Sequence, residues 1–140
     1  MKKVCYLLLM SVFMWSCSVQ KKCANKPDCL ADTQWKMQSF VKNGAEMTIA
    51  SGVPTLGFTK KGEINGFAGC NRYFGVYAMV DCDIKLTPQG STKAYCHESM
   101  ALEEAFFSSL EEIKTYTVAG DVLELSSADK RITMQFVKMD

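Results

Sequence analysis

The stretch GFAGCNRYFG at residues 66–75 is the most unusual local feature of the chain, because small residues crowd there around a cysteine and an asparagine. Glycine permits backbone conformations and close approaches that a Cβ atom forbids, so Gly66 and Gly69 predict a bulge or a close backbone approach in a β-strand, with a kink there. An asparagine in such a kink can hydrogen-bond neighbouring backbone groups, which is the structural role we expect for Asn71. The functional alternative is an aromatic surface on residues 73–77 for a partner or an apolar ligand.

The segments on either side of this stretch are mostly short runs of period two, which is typical of antiparallel strands. Turns such as Lys60-Lys61-Gly62 and Gly120-Asp121 separate these runs. The strand at residues 73–80 is apolar on both faces, so we expect it to be central and buried on both sides. A further short strand at 84–87 is expected to end at Pro88.

One segment has a helical period instead. Between His97 and Lys114, apolar residues recur at helical spacing, and we expect the intervening glutamates to form a solvated face: Glu103, Glu104, Glu111 and Glu112. A single amphipathic helix needs a surface to cover. The predicted fold class is therefore α+β, a curled antiparallel sheet or cracked barrel of about seven to eight strands packed on one α-helix.

The N-terminus has the pattern of an export signal. Lys2 and Lys3 precede an uncharged, mostly apolar run at residues 4–15, which is shorter than the about 20 residues that a membrane-spanning helix needs. The sequence FMWSC at residues 13–17 resembles a bacterial lipobox, in which the cysteine is lipidated and becomes the new N-terminus. This pattern predicts a protein that a lipid on Cys17 holds to a membrane of the bacterial cell envelope.

These features divide the chain into three parts. We expect a signal peptide at residues 1–16, a polar lipid-anchored tether at residues 17–32 and a folded domain at residues 33–140. The composition suits one globular domain, with 48% apolar residues and 22% charged residues. The formal net charge of +1 is spread along the chain without a basic stripe, so nucleic acid is not an expected partner.

Cysteines are expected to pair outside the cytoplasm. With Cys17 used for lipid, the candidates for disulfides are five: Cys23, Cys29, Cys70, Cys82 and Cys96. Spacing alone does not resolve their pairing, but we favour Cys70 with Cys96, which would close a loop of about 27 residues and stabilise the fold by roughly 3 kcal/mol. Cys82 would then pair with Cys29 or Cys23 and tie the tether to the domain.

A chemical alternative uses Cys70, Cys96 and His97 as a thiol-dependent active site or, together with Cys82, as metal ligands. The spacings do not match a zinc finger or ribbon, and the chain has no Cys-x-x-Cys pair. Phosphate-binding glycine loops and the Gly-x-Ser-x-Gly motif are also absent from the sequence. We therefore expect no enzymatic activity, no metal and no cofactor.

The stretch at residues 66–75 resembles the signature of the META domain, or HslJ-like, family, which is centred on Gly-Cys-Asn-Arg-Tyr at residues 69–73. Further similarity follows in the same order at Trp35, Phe58, residues 92–96 and residues 103–110, so the resemblance covers residues 33–138. It implies a cracked antiparallel barrel with one helix, often found on exported bacterial lipoproteins. It also implies a structural or binding role for the signature loop, which contains Gly69, Asn71, Arg72 and Tyr73.

No catalytic reaction is established for the META family, so the resemblance supplies no catalytic residues. Cys70 and Cys96 occupy the family's paired cysteine positions, which supports that pairing. The family name derives from a heat-shock-associated protein linked to novobiocin resistance and from a protozoan protein linked to infectivity. The resemblance therefore implies a role in stress response or drug tolerance. We expect a monomer that binds a protein partner or an apolar ligand, and a protease-inhibitor-like display of residues 69–73 is a further alternative.

The cysteine assignment predicts the mass of the exported protein. Purified without reductant, the mature chain should have a mass about 4 Da below that of its fully reduced form, because two disulfides remove four hydrogens. Denaturing mass spectrometry before and after reduction measures this difference. A difference of about 2 Da or less would contradict two disulfides.

Overall fold

The computed structural model describes residues 29–49 and 51–140. The strands and the helix have the following bounds: β1 Thr33–Lys42, β2 Ala45–Glu46, β3 Thr55–Phe58, β4 Glu63–Phe67, β5 Arg72–Val80, β6 Asp83–Ser91, α1 Met100–Glu112, β7 Ile113–Ala119, β8 Val122–Ser127 and β9 Ile132–Lys138.

Eight of these strands form a closed antiparallel barrel in the order β1-β3-β4-β5-β6-β7-β8-β9, and β9 pairs back onto β1. The two-residue strand β2 adds to the outside of β1. The barrel is weakest between β6 and β7, where Asp83 and Thr115 are the one paired set of residues. The helix α1 enters the chain at this junction, so the predicted α+β class and the cracked barrel are confirmed.

The alternation of apolar and polar residues fills the barrel interior. Large side chains from strands on all sides are fully buried there, among them Trp35, Phe40, Phe58 and Phe136. The helix adds Leu102, Phe106 and Leu110, which recur at helical spacing and are also buried. Burial of large apolar side chains at about 1.5–3 kcal/mol each is the main favourable contribution to the stability of such a domain.

The barrel has two distinct ends because all neighbouring strands are antiparallel. The helix end carries α1, the β4–β5 loop at residues 68–71 and the β8–β9 turn; there Lys42 Nζ donates to Ser108 Oγ of the helix at 2.7 Å. The N-terminal end carries the start of β1, the end of β9 and the β3–β4, β5–β6 and β7–β8 turns. Leu30 is completely buried there, and its carbonyl accepts a hydrogen bond from Thr33 Oγ1 at 2.6 Å.

Burial of Leu30 corrects the predicted composition of the tether. The sequence suggested that residues 17–32 contain almost nothing to bury, yet Leu30 belongs to the main core cluster and the partly buried Cys29 packs against that cluster. A single leucine among polar neighbours gives too little periodicity to be recognised as core in advance. The packed structure therefore includes residues ahead of the predicted boundary at residue 33.

The helix is shorter than the interval His97–Lys114 predicted for it. It begins at Met100 and ends at Glu112, and Ile113 adopts an extended conformation with ψ of 135°. Ile113 is completely buried as the first residue of β7, so packing in the barrel ends the helix there. Before the start of the helix, residues 97–99 form a turn. The Cys96 carbonyl accepts hydrogen bonds there from the backbone N–H groups of Ser99 and Met100.

Strand β6 continues through Pro88 to Ser91, contrary to the expected end at Pro88. Pro88 pairs with Gly75 at a register shift between Phe74 and Gly75. A proline lacks a backbone N–H, and bulges and edges are the places in a sheet that tolerate this loss. Beyond Asp83, β6 has no paired partner on its second side among the described residues, which makes it an edge in this region.

Strand β5 is central in the strand order, but it is not buried on both faces as predicted. Its residues alternate, with Tyr73 buried and Phe74, Val76 and Val80 exposed by 58%, 37% and 71%. A continuous apolar run is ambiguous between a strand buried on both faces and one that exposes apolar residues. The exposed set is available for contacts outside the barrel.

No helix in residues 29–49 and 51–140 combines the length and the apolar character that a membrane crossing requires.

The β8–β9 turn is held by Asp129. Ser127 Oγ donates to Asp129 Oδ1 at 2.8 Å, the Arg131 backbone N–H donates to the same oxygen at 3.1 Å, and the Arg131 guanidinium pairs with Oδ2. Ser127 Oγ in turn accepts the backbone N–H of Ile132 at 3.0 Å. The Ser127 hydroxyl first, and then Arg131, lower the pKa of Asp129 to about 2.

This turn should therefore contribute stability that depends on pH. Because the pKa of Asp129 is lower in the folded state than in the unfolded chain, its contribution is present above the ordinary pKa of aspartate and is lost as the pH falls toward about 2. Titration of the Asp129 carboxyl carbon by NMR measures the shift. Ser127→Ala and Arg131→Ala should each raise the pKa, and an unchanged pKa in either variant would contradict the assignment.

Candidate functional site

The signature loop is fastened to the segment before the helix by a disulfide. Cys70 of the β4–β5 loop is bonded to Cys96, with a Cα–Cα distance of 5.8 Å and a sequence separation of 26 residues. This confirms the favoured pairing. The cross-link closes a long loop at the helix end of the barrel, where such a bond stabilises a fold by roughly 3 kcal/mol through the entropy of the unfolded chain.

Asn71 uses its whole side-chain amide inside the protein. Its Oδ1 accepts hydrogen bonds from Thr92 Oγ1 and from the Ala94 backbone N–H, both at 2.8 Å. Its Nδ2 donates to the Ala94 carbonyl at 3.0 Å and to Glu103 Oε1 at 2.7 Å. These four bonds exhaust the donors and acceptors of the amide. The expected structural role of Asn71 extends to the β6–α1 segment and the helix as well as to its own loop.

Glu103 binds the same loop from the helix. Its Oε2 accepts hydrogen bonds from the backbone N–H groups of Cys70 at 3.1 Å and Asn71 at 2.7 Å. Its Oε1 accepts a hydrogen bond from Asn71 Nδ2. Glu103 is buried and stands in the first turn of α1, where the helix dipole favours a negative charge. Three N–H donors and the dipole compensate the cost of removing this carboxylate from water.

Glu103 was predicted to lie on a solvated face, and this prediction is wrong. The other three glutamates, Glu104, Glu111 and Glu112, are exposed as expected. Glu103 precedes the buried Phe106 by three residues and the buried Leu110 by seven, so helical spacing places it on the apolar side. The helical spacing therefore indicated that Glu103 is buried, whereas its charged side chain favoured an exposed position.

The glycines of the loop permit close backbone contacts. A Cβ atom on Gly66 would collide with the carbonyl oxygen of Thr55, and Gly69 has a φ of +117°. The same loop also packs against Gly52, whose added Cβ would collide with the carbonyl oxygen of Gly69. The close backbone approach predicted from Gly66 is confirmed, but residues 68–71 connect two strands and no bulge interrupts the β4–β5 pairing. Gly52 is a part of this close packing that the sequence did not indicate.

Tyr73 anchors the far side of the kink. Its ring lies edge-on to Phe106 and Phe107, with ring centroids 5.6 Å apart in both pairs, and its hydroxyl donates to the Thr55 carbonyl at 2.9 Å. Burial raises the pKa of Tyr73. Asn71 and Tyr73 are both buried, so residues 69–73 do not form the exposed loop that a protease-inhibitor-like display requires.

The aromatic surface expected on residues 73–77 is only partly formed. Tyr73 is buried and Tyr77 is half-buried, whereas Phe74 and Val76 point outward. The ring of Phe74 lies against Gly90 of β6, where an added Cβ would meet it at 2.8 Å. Tyr95, which is 78% exposed, lies on the segment between Thr92 and Cys96 that Asn71 and the disulfide hold. We define Arg72, Phe74, Val76 and Tyr95 as the outer patch.

The residues of the chemical alternative do not form a reactive group. Cys70 and Cys96 share a disulfide, so neither offers a thiolate while that bond is intact. His97 is exposed in the turn before the helix. In the described part of the chain, no cluster of three His, Cys, Asp or Glu residues could hold a metal ion.

The other cysteines have different surroundings. Cys82 lies in the β5–β6 turn at the N-terminal end of the barrel and is disulfide-bonded. Cys29 is partly buried against the core. Cys17 and Cys23 lie outside the described residues, so the lipid site and the predicted pairing of Cys82 with Cys29 or Cys23 stay predictions.

Together these features define a class of small antiparallel barrel in which a buried asparagine, a buried glutamate and the Cys70–Cys96 disulfide attach a helix to one end. The META domain profile matches residues 28–140, which is most of the chain, and the chain belongs to the META domain family. Comparison with curated protein sequences gives no significant match.

Solved structures with the same fold include two with informative coverage. The NMR structure of a protein from Burkholderia xenovorans has a TM-score of 0.68 and 25% sequence identity, over 79% of this chain and 83% of that one. The crystal structure of a DUF4847 family protein from Bacteroides vulgatus has a TM-score of 0.62 and 15% identity, over 81% and 98% of the two chains. The second likeness concerns the fold alone.

The geometry predicts that Glu103 is among the most important residues for stability. Glu103→Ala would leave two backbone N–H groups and the Asn71 amide without their acceptor, and we expect a loss of about 3 kcal/mol in the free energy of unfolding. Urea denaturation measures this loss. Glu104→Ala is the matched control because Glu104 is the exposed neighbour on the same helix, and it should cost less than about 0.5 kcal/mol. Equal effects of the two substitutions would refute the role assigned to Glu103.

Proposed function

We propose that this META domain protein is a non-enzymatic binding module of the bacterial cell envelope, held to a membrane by a lipid on Cys17 and binding a protein partner through the outer patch. The lipid anchor rests on the lipobox-like sequence at residues 13–17 and on the polar residues that follow it. The described chain enters the barrel at the N-terminal end, whereas the signature loop and Tyr95 lie at the helix end. This arrangement suits a domain whose helix end faces away from the anchor.

One observation supports binding over catalysis most directly. The polar groups of the signature residues bond to other parts of the same domain, so Asn71, Glu103 and Tyr73 have no donors or acceptors directed at a ligand. The large apolar or aromatic residues left exposed on the adjoining segments are Phe74 and Val76 of β5 and Tyr95 of the β6–α1 segment. Exposed aromatic residues beside an arginine resemble the composition of protein interfaces.

Two open depressions are present, of about 310 and 350 Å³. The larger is lined by Glu111, Glu112, Lys114 and the β8–β9 turn. Both depressions are open, whereas an apolar small molecule usually binds in an enclosed pocket, so we favour a protein partner on the exposed aromatic side chains of the outer patch.

A contribution to stress response or drug tolerance is part of this proposal only through membership in the family. The thiol-dependent or metal-binding alternative would require reduction of the Cys70–Cys96 bond, which an oxidising compartment opposes. Lack of iodoacetamide labelling at Cys70 and Cys96 in the native exported protein would eliminate that alternative.

Site-specific photo-crosslinking tests the proposed binding surface. A photoreactive phenylalanine at position 74 or 95 of the full chain, expressed in its native envelope, should give one discrete adduct with a protein partner. An excess of purified wild-type domain should abolish that adduct. A domain carrying Phe74→Asp and Tyr95→Asp should not compete, because charged groups would have to be desolvated in the interface.

Thr117 provides the matched control position. It is exposed on β7, a strand that is separated from β5 by β6, and the same photoreactive group there should give no competed adduct. Adducts of equal yield from all three positions would indicate non-specific proximity and contradict the proposal. Absence of any adduct from positions 74 and 95 would contradict it as well.

A further inference from the structure

The segment at residues 92–96 lies along the signature loop and belongs to neither a strand nor the helix. Its first attachment is to Arg72: the Thr92 backbone N–H donates to the Arg72 carbonyl at 3.0 Å, and the Arg72 backbone N–H donates to Thr92 Oγ1 at 3.2 Å. Two residues further on, the Asn71 side chain bonds both the carbonyl and the backbone N–H of Ala94. The segment is thus attached to the loop at every second residue.

The disulfide is the third attachment in this series, because Cys96 is bonded to Cys70 of the loop. The two residues between the attachments, Lys93 and Tyr95, have exposed side chains, and Tyr95 is exposed by 78%. Tyr95 of the outer patch therefore stands between the hydrogen bonds of Ala94 on one side and the covalent bond of Cys96 on the other.

These attachments hold the chain with different strength. Ala94 is exposed, so water can replace its hydrogen bonds to Asn71, and each bond adds only modestly to stability. Water cannot replace the disulfide. A residue whose backbone is fixed before association loses less conformational entropy when a partner binds. A fixed Tyr95 therefore raises affinity without an added contact.

We propose that the Cys70–Cys96 disulfide is a positioning bond for partner binding, which fixes Tyr95 in the outer patch so that the binding surface is complete only in the oxidised protein. The inference rests on the proposed function, because it concerns the same surface. When the bond forms, two electrons and two protons pass from the thiols of Cys70 and Cys96 to an external disulfide, which becomes two thiols. A chain that has not yet met an oxidising compartment would therefore bind the partner more weakly.

Competition for the photo-crosslinked adduct of position 74 tests the proposal. The competitors are the purified full-length wild-type protein and the serine variant, which combines Cys70→Ser with Cys96→Ser. The serine variant should require about fivefold more protein to suppress the adduct, because residues 93–96 must then be ordered on binding. Equal competition by the two proteins would overturn the proposal.

Leu30→Ala is the matched control for lost stability. Leu30 is completely buried at the opposite end of the barrel, and loss of a buried leucine destabilises a domain about as much as loss of a disulfide does. At a temperature where hydrogen exchange shows the barrel of both variants to be protected, Leu30→Ala should compete like the wild type. Residues 93–96 should exchange faster in the serine variant alone. Equally weak competition by both variants would show that the disulfide acts through stability only, which contradicts the proposal.

Ala94→Gly tests the same positioning with the disulfide intact, and it decides the question if the serine variant does not fold. Glycine adds backbone freedom beside Tyr95 at an exposed position, so the barrel should remain folded and competition should weaken about twofold. Unchanged competition would contradict the positioning of Tyr95.

A double-mutant cycle shows whether the disulfide acts through Tyr95. Tyr95→Ala should weaken competition less in the serine variant than in the oxidised protein, because the two changes remove the same advantage. Phe74→Ala is the control on β5, and its fold-change should be the same in both backgrounds. Fold-changes that multiply for both substitutions would overturn the proposal.

The outcomes separate this inference from the function on which it rests. If position 74 gives no adduct that the wild-type protein suppresses, the proposed binding function is wrong and the positioning role falls with it. If the wild type suppresses the adduct and the folded serine variant does so equally well, only the positioning role is overturned.

Discussion

The carboxylate of Glu103 is the contact on which the helix end of the barrel depends. It is buried, and it receives both backbone N–H groups of the kink and the side chain of Asn71. Asn71 Oδ1 in turn accepts hydrogen bonds from Thr92 and Ala94. The helix, the β4–β5 loop and the β6–α1 segment thus share one hydrogen-bonded network. A buried network of this kind stabilises one arrangement of its parts, because any other leaves charged or polar groups unpaired.

The barrel needs such a network because its closure is incomplete. Strands β6 and β7 meet through Asp83 and Thr115, and the chain between them leaves the sheet to form α1. The first turns of the helix therefore hold β5 and β6 at the helix end, where sheet hydrogen bonds from β7 do not reach. The disulfide from Cys70 to Cys96 secures the same segment covalently. The barrel is thus closed by the short β6–β7 pairing together with the hydrogen bonds of Glu103 and Asn71 and the Cys70–Cys96 disulfide.

Sequence patterns predicted those parts of this structure that local physics controls. The period-two runs, the Lys60-Lys61-Gly62 turn and the close backbone approach at Gly66 follow from backbone preferences and alternate burial, and the barrel has all of them. The errors occur where distant contacts decide. The helix ends at Ile113 because the barrel buries that residue, and β6 passes Pro88 because a bulge lies opposite. Helical spacing places Glu103 on the apolar side, but the N–H donors that stabilise its buried carboxylate lie 32 and 33 residues away in the sequence.

The residues that identify the family are, for the same reason, poor indicators of what the protein binds. The β4–β5 loop takes its shape from Gly69 and is attached to the rest of the domain by Asn71 and Tyr73. The side-chain polar groups of Asn71 and Tyr73 form hydrogen bonds within the domain. A change in ligand would not require a change in any of them. The outward residues have the opposite character: Phe74 and Tyr95 are exposed, and in the proposed function they contact the partner. Differences in function between barrels with this signature should therefore be sought in the outer patch, on a scaffold whose buried junction stays the same.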